Sequence, residues 1–432
     1  MRLRREFTRF GLRQGGSEAV RANVRIGIAA IGPASVAFAH VVQSVLLVRN
    51  LSRADFGTFS FLFATVAFSW AIWAALFCVP LAALLFRTAE ADRSSVEHSV
   101  ALTNLIGAIL TTPIFAAIGW GVGLDLAEAL LLAGFNALTL LRWFGRAQAY
   151  CHGKQLRSVS SDLLYGFTLL AAVAVMAIYG RYSLTGSFLS MAAAALGGLL
   201  PFAGSIFAVL VRREIGSSLA AYWRESKANM HWSLLYPAAT EMTANAHVYV
   251  VTILAGPSAF STVAATALLV RPMSLISASI RDVERPRLAR LASGREYTKI
   301  ASSLLRVRRL LVGVWLLTVA ATIILFSVNP RLLFPETYAL SDLRIGAVLW
   351  SAVGGLALLR VPESALLQAV GSFRGVSLAN LASAVISTLA VTALVLVLPP
   401  VWSIAGVLTG QLCNAAAISY YARQWRREHL PR

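Results

Sequence analysis

The feature that most constrains this chain is a succession of apolar runs that follow one another from end to end. They fall at 24–48, 57–86, 99–120, 124–143, 161–180, 185–211, 232–254, 257–280, 308–328, 342–363, 376–398 and 401–422. A helix needs about 20 apolar residues to cross the hydrocarbon of a bilayer. In lipid a backbone amide finds no partner outside its own segment, so runs of this length cross as helices. The alternation expected of barrel strands is absent. Charged residues make up 13% of the 432, about half of the roughly 25% usual in a soluble domain. The chain reads as an all-α polytopic membrane protein with about twelve transmembrane helices.

The formal net charge of +19 would suit a nucleic-acid partner, but its placement answers to topology instead. With the N-terminus inside, the cytoplasmic segments collect Arg2, Arg4, Arg5, Arg9, Arg13, Arg21 and Arg25, then Arg87, Arg93, Arg142, Arg146, Lys154 and Arg157. Arg212, Arg213, Arg224, Lys227, the nine basic residues from Arg281 to Arg309, Arg374 and the basic C-terminal tail complete that side. The opposite face holds Arg49, Arg53, Arg181, Arg331 and Arg344. This is the positive-inside asymmetry, with both termini cytoplasmic, and it adds attraction to anionic lipid headgroups. Cys78, Cys151 and Cys413 are scattered, without metal or disulfide spacing. The basic, polar first 23 residues do not read as a cleavable leader.

Hydropathy divides the chain in two. A basic N-terminus at 1–23 precedes six spans at 24–211, a basic linker at 212–231, six spans at 232–422 and a basic tail at 423–432. An ungapped shift of 204 places Pro33 on Pro237, Phe56 on Phe260 and Thr58 on Thr262. Two six-helix halves in parallel suggest a transporter. No loop is large enough for a separate domain. The longest polar stretch, 281–307, reads either as amphipathic helix, with Leu288, Leu291, Ile300, Leu304 and Leu305 against the membrane, or as a solvated connector. There is no phosphate-binding G-x-x-x-x-G-K-[ST], no H-E-x-x-H, no G-x-S-x-G and no Asp-x-Asp. These absences lower the standing of an ATP-driven pump or a membrane enzyme such as a polymerase or ligase.

Ionisable groups at mid-membrane depth cost about 2.5–3.5 kcal/mol each, so they form the short set of functional candidates. Arg271 lies well inside the eighth span and Glu241 inside the seventh, both about fifteen residues from the turn at Gly256-Pro257. They read either as a buried structural pair or as a cavity arginine restrained by an acid. Arg360 and Glu363, three apart on the tenth span, suggest a local salt bridge. Arg49, Arg53 and Arg344 suit snorkelling, or the outward mouth of a cationic path. Topology alone accounts for Arg25 and Arg142. The first span carries Pro33 and then His40, Gln43 and Ser44 on one face; the seventh carries Pro237 and then Glu241, Asn245 and Tyr249, with His247 nearby. Such stripes are either helix–helix glue or the lining of a shared cavity.

Three stretches resemble a known group. Val48–Ser60 (VRNLSRADFGTFS) is similar to an R-x-L-x-x-x-x-[FY]-G-x-[FY]-S pattern before the second helix. Arg285–Leu291 (RPRLARL) resembles a cytoplasmic P-x-L-A-R-L segment, and Pro330–Tyr338 (PRLLFPETY) resembles P-x-L-L-F-G-x-x-Y, with Pro335 in place of glycine. The chain thus resembles the polysaccharide-export flippases of the multidrug/oligosaccharidyl-lipid/polysaccharide exporter superfamily. The resemblance implies two six-helix bundles around a central cavity that opens alternately to each side of the bacterial inner membrane. It implies undecaprenyl-pyrophosphate-linked oligosaccharide as cargo, a polysaccharide polymerase and chain-length regulator as partners, no cofactor, and coupling to a proton or sodium gradient. Charge and depth nominate Arg271, then Arg49, Arg344 and Arg360, with His40, Gln43, Asn245 and His247, for the cavity. Glu241 and Glu363 are the coupling or ion-pair candidates. A peptidoglycan-precursor flippase and a multidrug exporter are the competitors within the superfamily.

Overall fold

A computed structural model describes residues 31–78, 80–81, 84–85, 93–211, 234, 238–370 and 372–429. The N-terminal segment 1–23, Arg25, the linker 212–231 and Pro237 lie outside the described residues.

Every regular element among the described residues is a helix. The first half contains α1 (Ile31–Asn50), α2 (Arg53–Trp73), α3 (Arg93–Gly121), α4 (Leu126–Cys151), α5 (Gln155–Tyr179) and α6 (Leu184–Leu199). A π turn, Ala74–Cys78, prolongs α2, and a 3-10 turn, Leu200–Phe202, leads α6 into Ala203–Val211. The second half contains α7 (238–255), α8, α9 (Tyr297–Val328), α10 (Leu340–Ala369), α11 (Phe373–Val397) and α12 (Ser403–His429). Element α8 has two parts: Pro257–Ala267 runs through a 3-10 turn, Leu268–Val270, into Arg271–Ser293.

Ten described helices are long and apolar enough to cross a membrane. The other two of the twelve elements, α7 and α8, carry Glu241, Asn245 and Arg271. Side chains cap the short turns. Ser52 accepts from the Asp55 amide, and Asp125 and Glu128 form a reciprocal capping box before α4.

The hairpin turns divide between two ends. The turns at 51–52, 122–125, 180–183, 256, 329–339 and 398–402 form a sparse end, poor in cations. The opposite, basic end holds Arg93, Lys154, Arg157, Arg290, Arg295, Lys299, Arg426 and Arg427. Towards the sparse end one buried core joins the halves: Phe56, Phe59 and Leu62 pack in a cluster that also holds Phe260, Val263, Phe334 and Tyr338. Towards the basic end the described clusters are private. Trp73, Phe77 and Phe144 belong to the first half, while Met273 with Leu311, Leu288 with Ile300, and Val376 with Ile418 belong to the second.

The halves meet where α2 crosses α8. A Cβ at Gly57 would overlap the carbonyl of Pro257, so only glycine permits this approach. Arg53 reaches Ser261 at the same crossing. The two contacts interchange when 204 is added to one partner and subtracted from the other. Phe56 and Phe260, and Thr58 and Thr262, are buried at the paired positions.

The stretch 281–307 is neither surface helix nor connector. Helices α8 and α9 simply continue through it, parted by the turn Gly294–Glu296. Leu288, Ile300 and Leu304 are buried against Ala365 and Leu366 of α10 rather than facing the membrane, while Leu305 is exposed. Their apolar spacing serves a helix–helix contact, which a single-helix pattern cannot distinguish from lipid contact.

Candidate functional site

The interface between the halves begins at the sparse end with two arginines. The Arg49 Nη1 donates to the Leu332 carbonyl at 2.5 Å. Arg53 donates to the Thr262 hydroxyl at 3.0 Å and, at 3.4–3.5 Å, to the Ser261 hydroxyl and the carbonyls of Ser258 and Thr337. Its guanidinium lies 5.3 Å from the centre of the Tyr338 ring. A first-half cation is thus spread over four second-half residues and an aromatic face, all near hydrogen-bonding limits except one. Arg344 is exposed and has no hydrogen-bond or ion-pair partner among the described residues.

Deeper in, the contact is aromatic. Tyr249 of α7 meets Phe61 and Phe68 of α2 edge-on, at ring separations of 6.0 and 6.4 Å. Arg271 then closes the contact. It stands at the first residue after the 3-10 break in α8, its Nη1 donating to the Ser44 hydroxyl of α1 at 3.0 Å. Its guanidinium sits 5.6 Å from the Phe63 ring of α2. Both partners belong to the opposite half and both are neutral.

Glu241 lies two helical turns beyond Tyr249 towards the basic end, on the same stripe of α7. Its carboxylate accepts from the Asn245 amide at 2.6 Å. Among the described residues no ion pair joins Glu241 to Arg271, which removes the reading of the two as a buried structural pair. One cation and one acid stand apart on partly exposed faces of the second half.

The other stripe residues are mostly packing. The His40 Nε2 and the Tyr165 hydroxyl are 2.9 Å apart, and the imidazole lies tilted against Phe63, the ring Arg271 covers, with ring centres 4.9 Å apart. Gln43 donates at 3.4 Å to the Ser187 carbonyl. His247 points into the second half, beside Trp350 at 5.2 Å and Phe260 at 6.2 Å. Only Ser44 of the first-span stripe touches the other half in a described hydrogen bond.

Two arginines assigned to topology or to a local bridge are instead parts of buried polar nodes. Arg142 is 2% exposed and pairs with Asp162 of α5, which Arg146 also meets at 3.1 Å. Arg142 further donates to Ser161 at 3.1 Å and covers the Tyr165 ring at 4.4 Å. Topology alone therefore does not explain Arg142. In the second half Glu363 is engaged by Arg308 of α9 and Arg426 of α12, not by Arg360 as the spacing suggested. Arg360 donates to Asn414 of α12, whose amide donates at 2.6 Å to Asn380 of α11. Asp162, Asn380 and Asn414 escape a sequence reading because each is one polar residue in a span, with its partner on another helix. Among the described residues no cluster of three or more His, Cys, Asp or Glu is placed to hold a metal.

No family model matches the chain, and no curated protein does. Solved structures share its fold. An inward-facing multidrug resistance MATE family transporter of the MOP superfamily aligns at a TM-score of 0.67 and 15% identity, over 92% of this chain and 98% of that one. The lipid II flippase MurJ in an inward closed conformation gives 0.66 and 13%, over 91% and 87%. An outward-facing MATE transporter of the same superfamily gives 0.59 and 16%, over 94% and 95%.

Proposed function

We propose that this chain is a flippase that carries undecaprenyl-pyrophosphate-linked oligosaccharide across the bacterial inner membrane by alternating access. The observation that carries the reading is Arg271, a cation at the inner limit of the contact between the halves, held by one hydroxyl and one aromatic face of the opposite half. A guanidinium offers forked donors and a permanent charge that suit phosphate oxygens. An anion arriving from the basic end offers Arg271 stronger, charge-assisted bonds than the single Ser44 hydroxyl.

In this arrangement the sparse end is shut by Arg49, Arg53 and the Gly57–Pro257 crossing, while the described cores of the basic end belong to separate halves. The better fit to the inward-facing transporter than to the outward-facing one is in keeping with access from the basic end, which the arginine asymmetry assigns to the cytoplasm. Rocking the halves about the α2–α8 crossing would carry the bound headgroup past Arg271 towards Arg49 and Arg344 while the prenyl tail stays in lipid. Glu241, partly exposed and hydrogen-bonded to Asn245, is the acid that a proton or sodium gradient would act on.

In the native host, Arg271→Ala lowers surface polysaccharide tenfold or more, by about the 1.4 kcal/mol of one charge-assisted contact, and Arg271→Lys retains part of it. Normal polysaccharide from an Arg271→Ala protein present at wild-type levels removes this function. A second reading, export of a cationic drug, has Glu241 in its favour. It predicts ethidium efflux that Glu241→Gln abolishes and Arg271→Ala spares.

A further inference from the structure

The segment 329–339 between α9 and α10 lies at the sparse end as a strap, and arginines hold it by its backbone carbonyls. Asn329 caps its first turn by accepting from the Arg331 amide. Arg331 ties the strap to itself, its Nη1 donating to the Pro335 carbonyl at 2.7 Å and to the Tyr338 carbonyl at 3.1 Å. Phe334 and Tyr338 sink into the core that joins the halves. The other two ties come from the first half: Arg49 takes the Leu332 carbonyl and Arg53 the Thr337 carbonyl. Three arginines thus claim four carbonyls of one short segment, and Arg331 keeps that segment folded as part of the second half.

Asp55, Glu336 and Asp342 belong to the same end, yet among the described residues none of them is ion-paired to Arg49, Arg53 or Arg331. Asp55 accepts from the Ser52 hydroxyl instead. Elsewhere arginines do find carboxylates: Arg142 and Arg146 meet Asp162, Arg287 meets Glu284, and Arg308 and Arg426 meet Glu363. The strap is therefore fastened differently from the Asp162 and Glu363 nodes. A carboxylate would give each guanidinium a charged partner of its own. A carbonyl or hydroxyl gives it a neutral one, and an oxyanion outcompetes that partner because charge-assisted bonds are roughly twice as strong.

We propose that Arg49 and Arg53 are the pins of a latch on this strap and that, once it opens, they form an oxyanion site for a pyrophosphate group. Every described acceptor of the two guanidiniums belongs to the second half, so parting the halves frees both at once. They flank the turn at 51–52 and stay together on the first half. A forked donor pair with permanent charge suits the oxygens of a pyrophosphate. An anion that binds only the freed pair shifts the equilibrium towards the open latch by its own binding energy. The inference rests on the transport reading for its direction: cargo delivered to the sparse end unlocks the end by which it leaves.

The test uses the purified full-length protein with Ser261→Cys as reporter, in a background without Cys78, Cys151 and Cys413. Ser261 is fully buried and its hydroxyl holds Arg53 only at 3.4 Å, so the reporter leaves the other ties of the latch in place. Inorganic pyrophosphate and farnesyl pyrophosphate raise the rate of maleimide labelling about tenfold once their concentration is ten times the dissociation constant. Farnesol, and sodium chloride at matched ionic strength, leave it unchanged. A response to farnesyl pyrophosphate alone assigns the site to a lipid-borne group, and a response to both assigns it to the pyrophosphate itself; either supports the latch. Arg49→Gln with Arg53→Gln raises the basal rate and cuts the response below about twofold, and Arg53→Lys restores part of what Arg53→Gln loses. Pins that were only structural would raise the basal rate and keep the full response. No response with the pins intact, or a full response in the double variant, overturns the proposal and leaves the Arg271→Ala polysaccharide assay untouched. A response that persists while Arg271→Ala exports polysaccharide normally keeps this site and removes the route through Arg271.

Discussion

Asp162 is the acid at the centre of the buried polar node of the first half. It answers two buried arginines, Arg142 and Arg146, and its own backbone carbonyl accepts from Ser35. Removing one partner of such a group leaves cations in a place where water cannot replace it, which typically costs about 3–5 kcal/mol. Asp162→Ala is therefore expected to lower the melting temperature of the detergent-solubilised protein by far more than Arg344→Ala, whose side chain is exposed. Equal effects would show that the node is not a structural centre. The positive-inside pattern exposed Arg142 as one charge among many, but charge counting is blind to burial, and the partner lies twenty residues away on a different helix. Arg271 was legible for a different reason: it sits alone in an apolar run, and no topology rule accounts for it. Its partners Ser44 and Phe63 were not legible, since they come from the other half.

At the scale of elements, α2 and α8 set the behaviour of the molecule. Their crossing needs glycine at 57, and the break Leu268–Val270 lies one residue before Arg271, so the helix changes its winding where its charge faces the other half. Gly57→Val is expected to pry the sparse end apart, and Arg53→Ala to loosen it less, because its bonds are mostly long. Labelling of Ser261→Cys, a fully buried position, by a membrane-impermeant maleimide measures this. It should rise in both backgrounds, and no rise in Gly57→Val would mean that the crossing does not hold that end shut. All twelve elements were visible as apolar runs. The ends of α8 and α9 were not, because Leu288, Ile300 and Leu304 face another helix at a spacing that suits lipid equally well.

For the whole molecule, orientation is the first thing to establish. In a background without Cys78, Cys151 and Cys413, Ser52→Cys at the sparse end should be labelled in intact cells, and Gly294→Cys at the basic end only after permeabilisation. The reverse pattern would invert the direction of the proposed transport. Two halves could be seen in the order of hydropathic spans, yet their contact could not, since α2 and α8 meet through side chains about 200 residues apart. That contact also sets the energetics of motion. Because the buried clusters towards the basic end are each owned by a single half, a swing that closes that end leaves them intact and sacrifices only the shared one. If the chain works by the alternating access proposed above, a substitution that tightens the shared core is expected to slow turnover without touching the cargo.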